Sequence, residues 1–265
     1  MNSDQIKISK NQQFPAMFVS DIHLSPAAPK TAERFLAFLN DQARCAQRLY
    51  LLGDIFEYWA GDDDLESPEH QETIGALKTL VQSGTELFWI AGNRDFLVGQ
   101  TFAAHVGITL LPDPFSLIIG GRKLVLSHGD ELCTDDIEYI KFRTMVRHPD
   151  WQAQFLAQDL AQRKAIISHM RQKSHEEQQG KAMSIMDVNA TAVKNLLVKY
   201  PGYDLIHGHT HRHAIHQEQA GTRYVLPDWD FDGGGSHRGA FLALDTAGLL
   251  HFEYIADAVH LTSPP

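Results

Sequence analysis

Apolar residues arrive along this chain in short runs that stop at glycine, aspartate or histidine. Met17 to Ser20 is one such run, ending at Asp21, and reads as a buried first strand. Ala32, Phe35, Leu36, Leu39, Ala43 and Ala46 then recur at helical spacing. Leu49 to Leu52 predicts a second strand, closed by Gly53-Asp54. Ile74, Leu77, Leu80 and Val81 mark another helix, which Ser83-Gly84 ends. Glu86 to Ala91 reads as a third strand, again closed by a glycine and a polar residue, Gly92-Asn93. This alternation predicts an α/β fold with strands buried between helices.

Further on, Leu117 to Ile119 and Leu124 to Ser127, joined by Gly120-Gly121, read as a hairpin delivering His128. Asp204 to Ile206 predicts a strand delivering His207 and His209. From Arg212 onward short strand-like runs dominate, ending at His251 to Ile255, and predict a second, partly antiparallel sheet. Between Thr134 and about Asn195 the pattern is nearly all helical, with a polar break at Ser174 to Lys181 and a helix resuming near Ile185. The expectation is one domain over residues 1–265: a two-sheet α/β sandwich flanked by helices, with a helical cap insertion over 134–195.

Charge narrows the partners. A formal net charge of −10 leaves no broad basic surface for nucleic acid. The two cysteines, Cys45 and Cys133, form neither a disulfide framework nor a zinc pattern and read as reduced thiols. Met1 to Gln13 is polar without an apolar core, unlike a secretory signal. No apolar run approaches the ~20 residues of a membrane-spanning helix. The expected setting is cytoplasmic.

The residues that close the runs carry the chemistry. Asp21-Ile22-His23, Gly53-Asp54, Gly92-Asn93, His128 and His207-Gly208-His209 come in that order, each beside an expected strand end. Carboxylates suit hard cations, imidazoles suit borderline transition metals, and an amide oxygen adds a neutral donor. Open α/β sheets place sites at the carboxyl ends of their strands. Together the set predicts a two-metal hydrolytic centre, in which paired ions activate water and clamp a phosphoryl group. Each piece alone has a plainer use: Asp21 or Asp54 as a turn residue or helix cap, His128 as a satisfied core histidine.

The ordered set resembles the calcineurin-like metallophosphoesterases. The surrounding words, Gly53-Asp54-Ile55-Phe56-Glu57-Tyr58-Trp59, Gly92-Asn93-Arg94-Asp95-Phe96-Leu97 and His128-Gly129-Asp130-Glu131-Leu132-Cys133 among them, are similar to the UDP-2,3-diacylglucosamine diphosphatases of lipid A biosynthesis in Gram-negative bacteria. The resemblance implies two Mn²⁺ ions per chain. Asp21, His23 and His209 would hold one, Asn93, His128 and His207 the other, with Asp54 bridging. It implies Asp54, Asn93, Arg94 and His128 as the catalytic group, and His211 and His213 as solvated or supporting rather than ligating. Arg94 would neutralise a substrate phosphate through its planar fork, and Asp95 would orient a ligand histidine.

Substrate choice falls to the cap. The resemblance places Asn93, Arg94, Asp136, Tyr139, Arg171, Ser174, Gln178, Lys181 and His207 against UDP-2,3-diacylglucosamine. The products would be UMP and 2,3-diacylglucosamine 1-phosphate (lipid X). Trp151, Phe155, Leu156 and Leu160 have two readings: packing the cap onto the body, or lining a groove for acyl chains. Arg143, Arg147, Arg163, Lys164, Arg171 and Lys173 give the segment a positive bias suited to an anionic surface. The expected partner surface is the cytoplasmic face of the inner membrane, held peripherally, with no required protein partner. The alternative is a related two-metal phosphodiesterase or pyrophosphatase acting on another nucleotide.

Overall fold

Three parallel strands, β1 (Ala16–Val19), β2 (Arg48–Leu51) and β3 (Glu86–Ile90), form the centre of the first sheet. The computed structural model describes residues 13–178 and 187–257, with no side-chain description for 173–178. A short fourth strand, β4 (Ile108–Leu111), pairs parallel to β3 at one edge. Helix α1 (Pro29–Asn40) links β1 to β2, α2 (Pro68–Gln82) links β2 to β3, and α3 (Gln100–Val106) links β3 to β4. Both α1 and α2 begin at proline, whose fixed φ suits a first helical turn. The expected first helix ran through Ala46. In the structure it stops at Asn40, and a 3₁₀ turn over Gln42–Cys45 keeps Ala43 buried.

The second sheet is β5 (Phe115–Ile119), β6 (Arg122–Ser127), β7 (Asp204–His207), β9 (Gly221–Val225) and β8 (Ala214–Glu218), in that spatial order. The β5–β6 turn has positive φ at both Gly120 and Gly121, as a two-residue hairpin requires. The last two strands depart from expectation. β10 (Ala240–Leu244) pairs antiparallel with β1, and β11 (Leu250–Tyr254) with β10, so both extend the first sheet rather than the second. All five side chains of β10 are buried, so this strand needs cover on both faces, which only an interior position gives.

Alternation along the strands sorts the core into layers. Met17, Val19, Leu49, Leu51, Leu87 and Trp89 meet Phe35, Phe38, Leu77 and Phe102 of the helices. Phe18, Tyr50, Leu52 and Ile90 face Leu124, Leu126, Ile206 and Leu226 between the sheets. Val125 and Leu205 meet Val193, Leu196 and Leu197 of α7 (Ala190–Lys199) on the outer face of the second sheet. The result is a two-sheet sandwich flanked by helices, the α/β class expected.

Above the strand ends lie α4 (Ile137–Val146), α5 (Pro149–Leu156) and α6 (Leu160–Gln178). α6 continues through the expected break as far as Gln178, and the next described helix starts at Ala190, after its cap Asn189. Phe155 is buried in the main core and stacks on Trp151, which in turn reaches Phe96. For these two rings the packing reading holds. Leu156 is exposed, as are Ile137 and Met145 of α4. No helix among the described residues is long and apolar enough to cross a membrane.

Candidate metal centre

Strand ends deliver the polar residues to one place. Asp21 follows β1, Asp54 follows β2, Asn93 follows β3, His128 follows β6, and His207 ends β7. Loop-to-loop bonds hold them together. Asp21 N–H donates to Gly53 O at 3.0 Å, His23 N–H to Asp54 O at 3.0 Å, and His209 N–H to Asp21 Oδ2 at 2.9 Å. Asp21, His23, Asp54, His209 and His211 all have φ between 54° and 67°, a left-handed backbone rarely adopted outside glycine. Each such residue costs about 1–3 kcal/mol and persists where surrounding structure over-determines it. Five of them around one cleft mark the place where shape was kept at the expense of stability.

Glycines permit the close approach. A Cβ on Gly53 would stand 2.5 Å from Gly92 Cα and 2.7 Å from His128 Nδ1. A Cβ on Gly92 would strike the Asp54 carboxylate, and one on Gly208 the Asp21 carboxylate.

Two groups of ligand-type atoms result. Asp21, His23 and His211 converge in one; Asp54, His128 and His209 in the other. In the first, His23 Nε2 and His211 Nε2 lie 3.3 Å apart. Asp21 Oδ1, buried and accepting no hydrogen bond, is 3.5 Å from His211 Nε2. In the second, Asn93 Oδ1 lies 2.9 Å from His128 Nε2 and 2.8 Å from His209 Nδ1, and Asp54 Oδ1 is 3.7 Å from His128 Nε2. His209 thus touches both groups, by its backbone at Asp21 and by its ring beside Asn93. His207 keeps Nδ1 on Gly208 O at 2.9 Å and Nε2 3.4 Å from Arg223. His211, expected only to support, faces Asp21 and is backed by Asp228, 3.6 Å from its Nδ1.

The electrostatics ask for a cation. Burial would depress the His128 imidazolium, but Asp54, Asp21 and Asp130 and the carbonyl of Leu52 outweigh it and raise its pKa to about 9. Burial would raise the Asp21 carboxyl, yet His211, His128 and His23 hold it well below the usual range. Burial, with Arg223 beside it, lowers His207 to about 4 and, with the charge of His128, lowers His209 to about 3, leaving both rings neutral; His209 joins the second group and His207 joins neither. An unsatisfied buried carboxylate oxygen, mixed oxygen and nitrogen donors, and glycine cradles against both aspartates fit divalent metal ions.

Supporting contacts correct one expectation. Asp95 orients no histidine: its oxygens accept the N–H groups of Gly92 (2.8 Å) and Ile55 (2.9 Å), tying the loops after β2 and β3 together. The carboxylate beside a histidine of the centre is Glu57, whose Oε2 lies 2.8 Å from His23 Nδ1. Its place three residues after Asp54 offered no spacing signal. Asp130 was likewise missed. It is fully buried and takes Tyr139 Oη (2.8 Å) and Arg143 Nε (2.9 Å) of the cap.

Of the cap residues expected at substrate, Tyr139 lays its ring on His209 at 5.8 Å, with its hydroxyl given to Asp130. Asp136 caps α4 by accepting Tyr139 N–H at 3.1 Å. Arg171 pairs with Glu57. Arg94 donates its backbone N–H to Asp54 at 2.7 Å, while its Nε is buried without a hydrogen bond. Ser174 and Gln178 lie on α6 without side-chain description, and Lys181 lies outside the described residues. Among the described basic side chains of α4 and α6, several turn inward: Arg143 to Asp130, Arg163 to Ala60 O and Asp63, and Lys164 to Asp64.

Comparison with known proteins follows the same lines. The profile of the calcineurin-like phosphoesterases matches residues 14–213. The chain is 48% identical over 221 residues to the UDP-2,3-diacylglucosamine hydrolase of Aromatoleum aromaticum, covering 82% of this chain and 90% of that one. It is 46% identical over 217 residues to the protein of that name from Chromohalobacter salexigens, covering 80% and 88%. With the Escherichia fergusonii protein of that name it shares 43% over 242 residues, covering 90% and 99%.

Proposed function

This chain belongs to the calcineurin-like phosphoesterases, and on that premise we propose that it hydrolyses the pyrophosphate bond of UDP-2,3-diacylglucosamine. The products are UMP and 2,3-diacylglucosamine 1-phosphate. The observation that carries the substrate is identity of 43–48% to proteins bearing that substrate in their name, across 80–90% of this chain. The reaction class is supported by the convergence of aspartates, histidines and Asn93 at parallel strand ends.

The centre holds two Mn²⁺ ions in this reading. Asp21, His23 and His209 serve one, Asn93, His128 and His207 the other, and Asp54 both. When bound, such ions polarise a phosphoryl oxygen and acidify water. The rest falls to the chain. Arg94, with an unsatisfied buried Nε, offers its guanidinium to the phosphate charge. Asn93 and His207 also contact substrate at the centre. Asp136, Tyr139, Arg171, Ser174, Gln178 and Lys181 bind it on the cap side. The 134–195 segment acts as the lid that selects the acylated sugar.

Association with the cytoplasmic face of the inner membrane is peripheral. Since Arg143, Arg163, Lys164 and Arg171 pair with the body, docking falls to exposed Ile137, Met145 and Leu156.

The test is UMP release from UDP-2,3-diacylglucosamine with and without Mn²⁺, beside a chromogenic phosphodiester. Mn²⁺-dependent release from the lipid substrate alone supports the proposal. Activity on the chromogenic compound alone would keep the two-metal centre and favour another nucleotide substrate.

A further inference from the structure

Helix α6 is fastened to the body at two separated places. Near its start, the buried guanidinium of Arg163 donates to Ala60 O and pairs with Asp63, while Lys164 Nζ stands 2.7 Å from Asp64 Oδ1 and 3.3 Å from Glu69 Oε1. About two turns later, Arg171 pairs through Nη2 with Glu57 Oε1 and lies 5.9 Å over the ring of Tyr58. The first attachment touches no proposed ligand. The second does.

Glu57 divides its two oxygens. Oε1 takes Arg171 of the cap, and Oε2 lies 2.8 Å from His23 Nδ1. With Glu57 beside Nδ1, the His23 ring presents Nε2 toward Asp21 and His211, at 4.0 Å from Asp21 Oδ1 and 3.3 Å from His211 Nε2. A carboxylate on the far nitrogen of a ligating histidine fixes both tautomer and ring angle. Here that carboxylate is itself held by the lid.

We propose that Glu57 is a positioning residue that couples the cap to the metal centre: metal binding at His23 and closure of the Arg171 end of α6 favour one another. Arg163 and Lys164 act as the fixed end, and the Arg171 turn is the part that responds. The coupling is reciprocal, so whatever draws the lid down also tightens metal binding. The proposal rests on the reading of His23 as a metal ligand.

The experiment uses the full chain and Mn²⁺ alone, with binding followed by Mn²⁺ electron paramagnetic resonance and the cap by amide hydrogen exchange. Glu57→Gln should weaken Mn²⁺ binding about 10- to 100-fold. In the wild type, saturating Mn²⁺ should slow exchange over residues 167–172. Arg171→Ala should lose that slowing, and Arg171→Lys should recover part of it. Adding Arg171→Ala to Glu57→Gln should weaken Mn²⁺ binding no further, because Arg171 reaches the metal centre only through Glu57. An exchange response to Mn²⁺ that persists unchanged in Arg171→Ala overturns the coupling. So does unchanged Mn²⁺ affinity in Glu57→Gln. A wild-type chain that binds no Mn²⁺ would sink the ligand reading itself and this proposal with it. Circular dichroism of each variant checks that it is folded.

Discussion

The backbone N–H of His209 donates to Oδ2 of Asp21 across 2.9 Å and 188 residues of sequence. One bond thereby joins the first and last loops of the centre. Ser20 Oγ donates to the same oxygen at 2.5 Å, leaving Oδ1 as the face offered to a cation. A divalent ion would meet a carboxylate already oriented by neutral donors, so little of its geometry needs to be ordered on binding.

Gly208 stands where any side chain would break that bond. A Cβ there meets the Asp21 carboxylate and comes 2.7 Å from Ser20 Cβ. Gly208→Ala should cost about 1–3 kcal/mol, the range for forced overpacking, and should weaken metal binding. Thermal unfolding with and without Mn²⁺ checks both. An unchanged midpoint in each condition would refute the close approach.

Arg94→Ala should lower kcat about 100- to 1,000-fold at saturating metal, the usual loss for one charge-stabilising donor, with Mn²⁺ affinity preserved. His128→Ala should abolish turnover and weaken Mn²⁺ binding while the chain stays folded. Steady-state kinetics beside a metal titration separates the two roles. Retained turnover in His128→Ala would remove it from the centre.

Phe155 is buried in the main core and stacks on Trp151 with ring centroids 4.9 Å apart. Phe155→Ala should cost about 3–5 kcal/mol in chemical denaturation, as for a buried aromatic. Leu156→Ser, at an exposed position, should leave stability within about 0.5 kcal/mol and weaken turnover of the acylated substrate more than of a short-chain analogue. Equal turnover of both would remove Leu156 from lipid contact.

His213 supplies a pH dependence away from the proposed ligands. Its Nε2 lies 3.0 Å from Tyr254 Oη, its ring packs edge-on to Phe252, and burial lowers its pKa. A depressed folded pKa gives stability that is present above the unfolded value, about 6.5, and is lost as pH falls through that value toward the folded one. The difference in unfolding midpoint between wild type and His213→Gln should therefore shrink from pH 7.5 to pH 5. A constant difference would mean His213 does not titrate on unfolding in this window.

Much of the molecule was legible in the chain itself. Apolar runs closed by Gly53-Asp54, Gly92-Asn93 and His128 declared buried strands and what each carries at its end, because a parallel strand hidden on both faces must be apolar until it reaches the surface. The polar residues at those strand ends were legible for the same local reason. Tertiary structure decided what depends on partners distant in sequence. β10 entered the first sheet because burial on both faces needs neighbours that its own pattern cannot name. Asp95 went to backbone amides and Glu57 came to stand beside His23, since side-chain partners are set by where loops cross and not by residue spacing. Arg143 and Lys164 turned inward for the same reason: a buried carboxylate such as Asp130 or Asp64 must be paired, and the nearest cation came from helices folded over it.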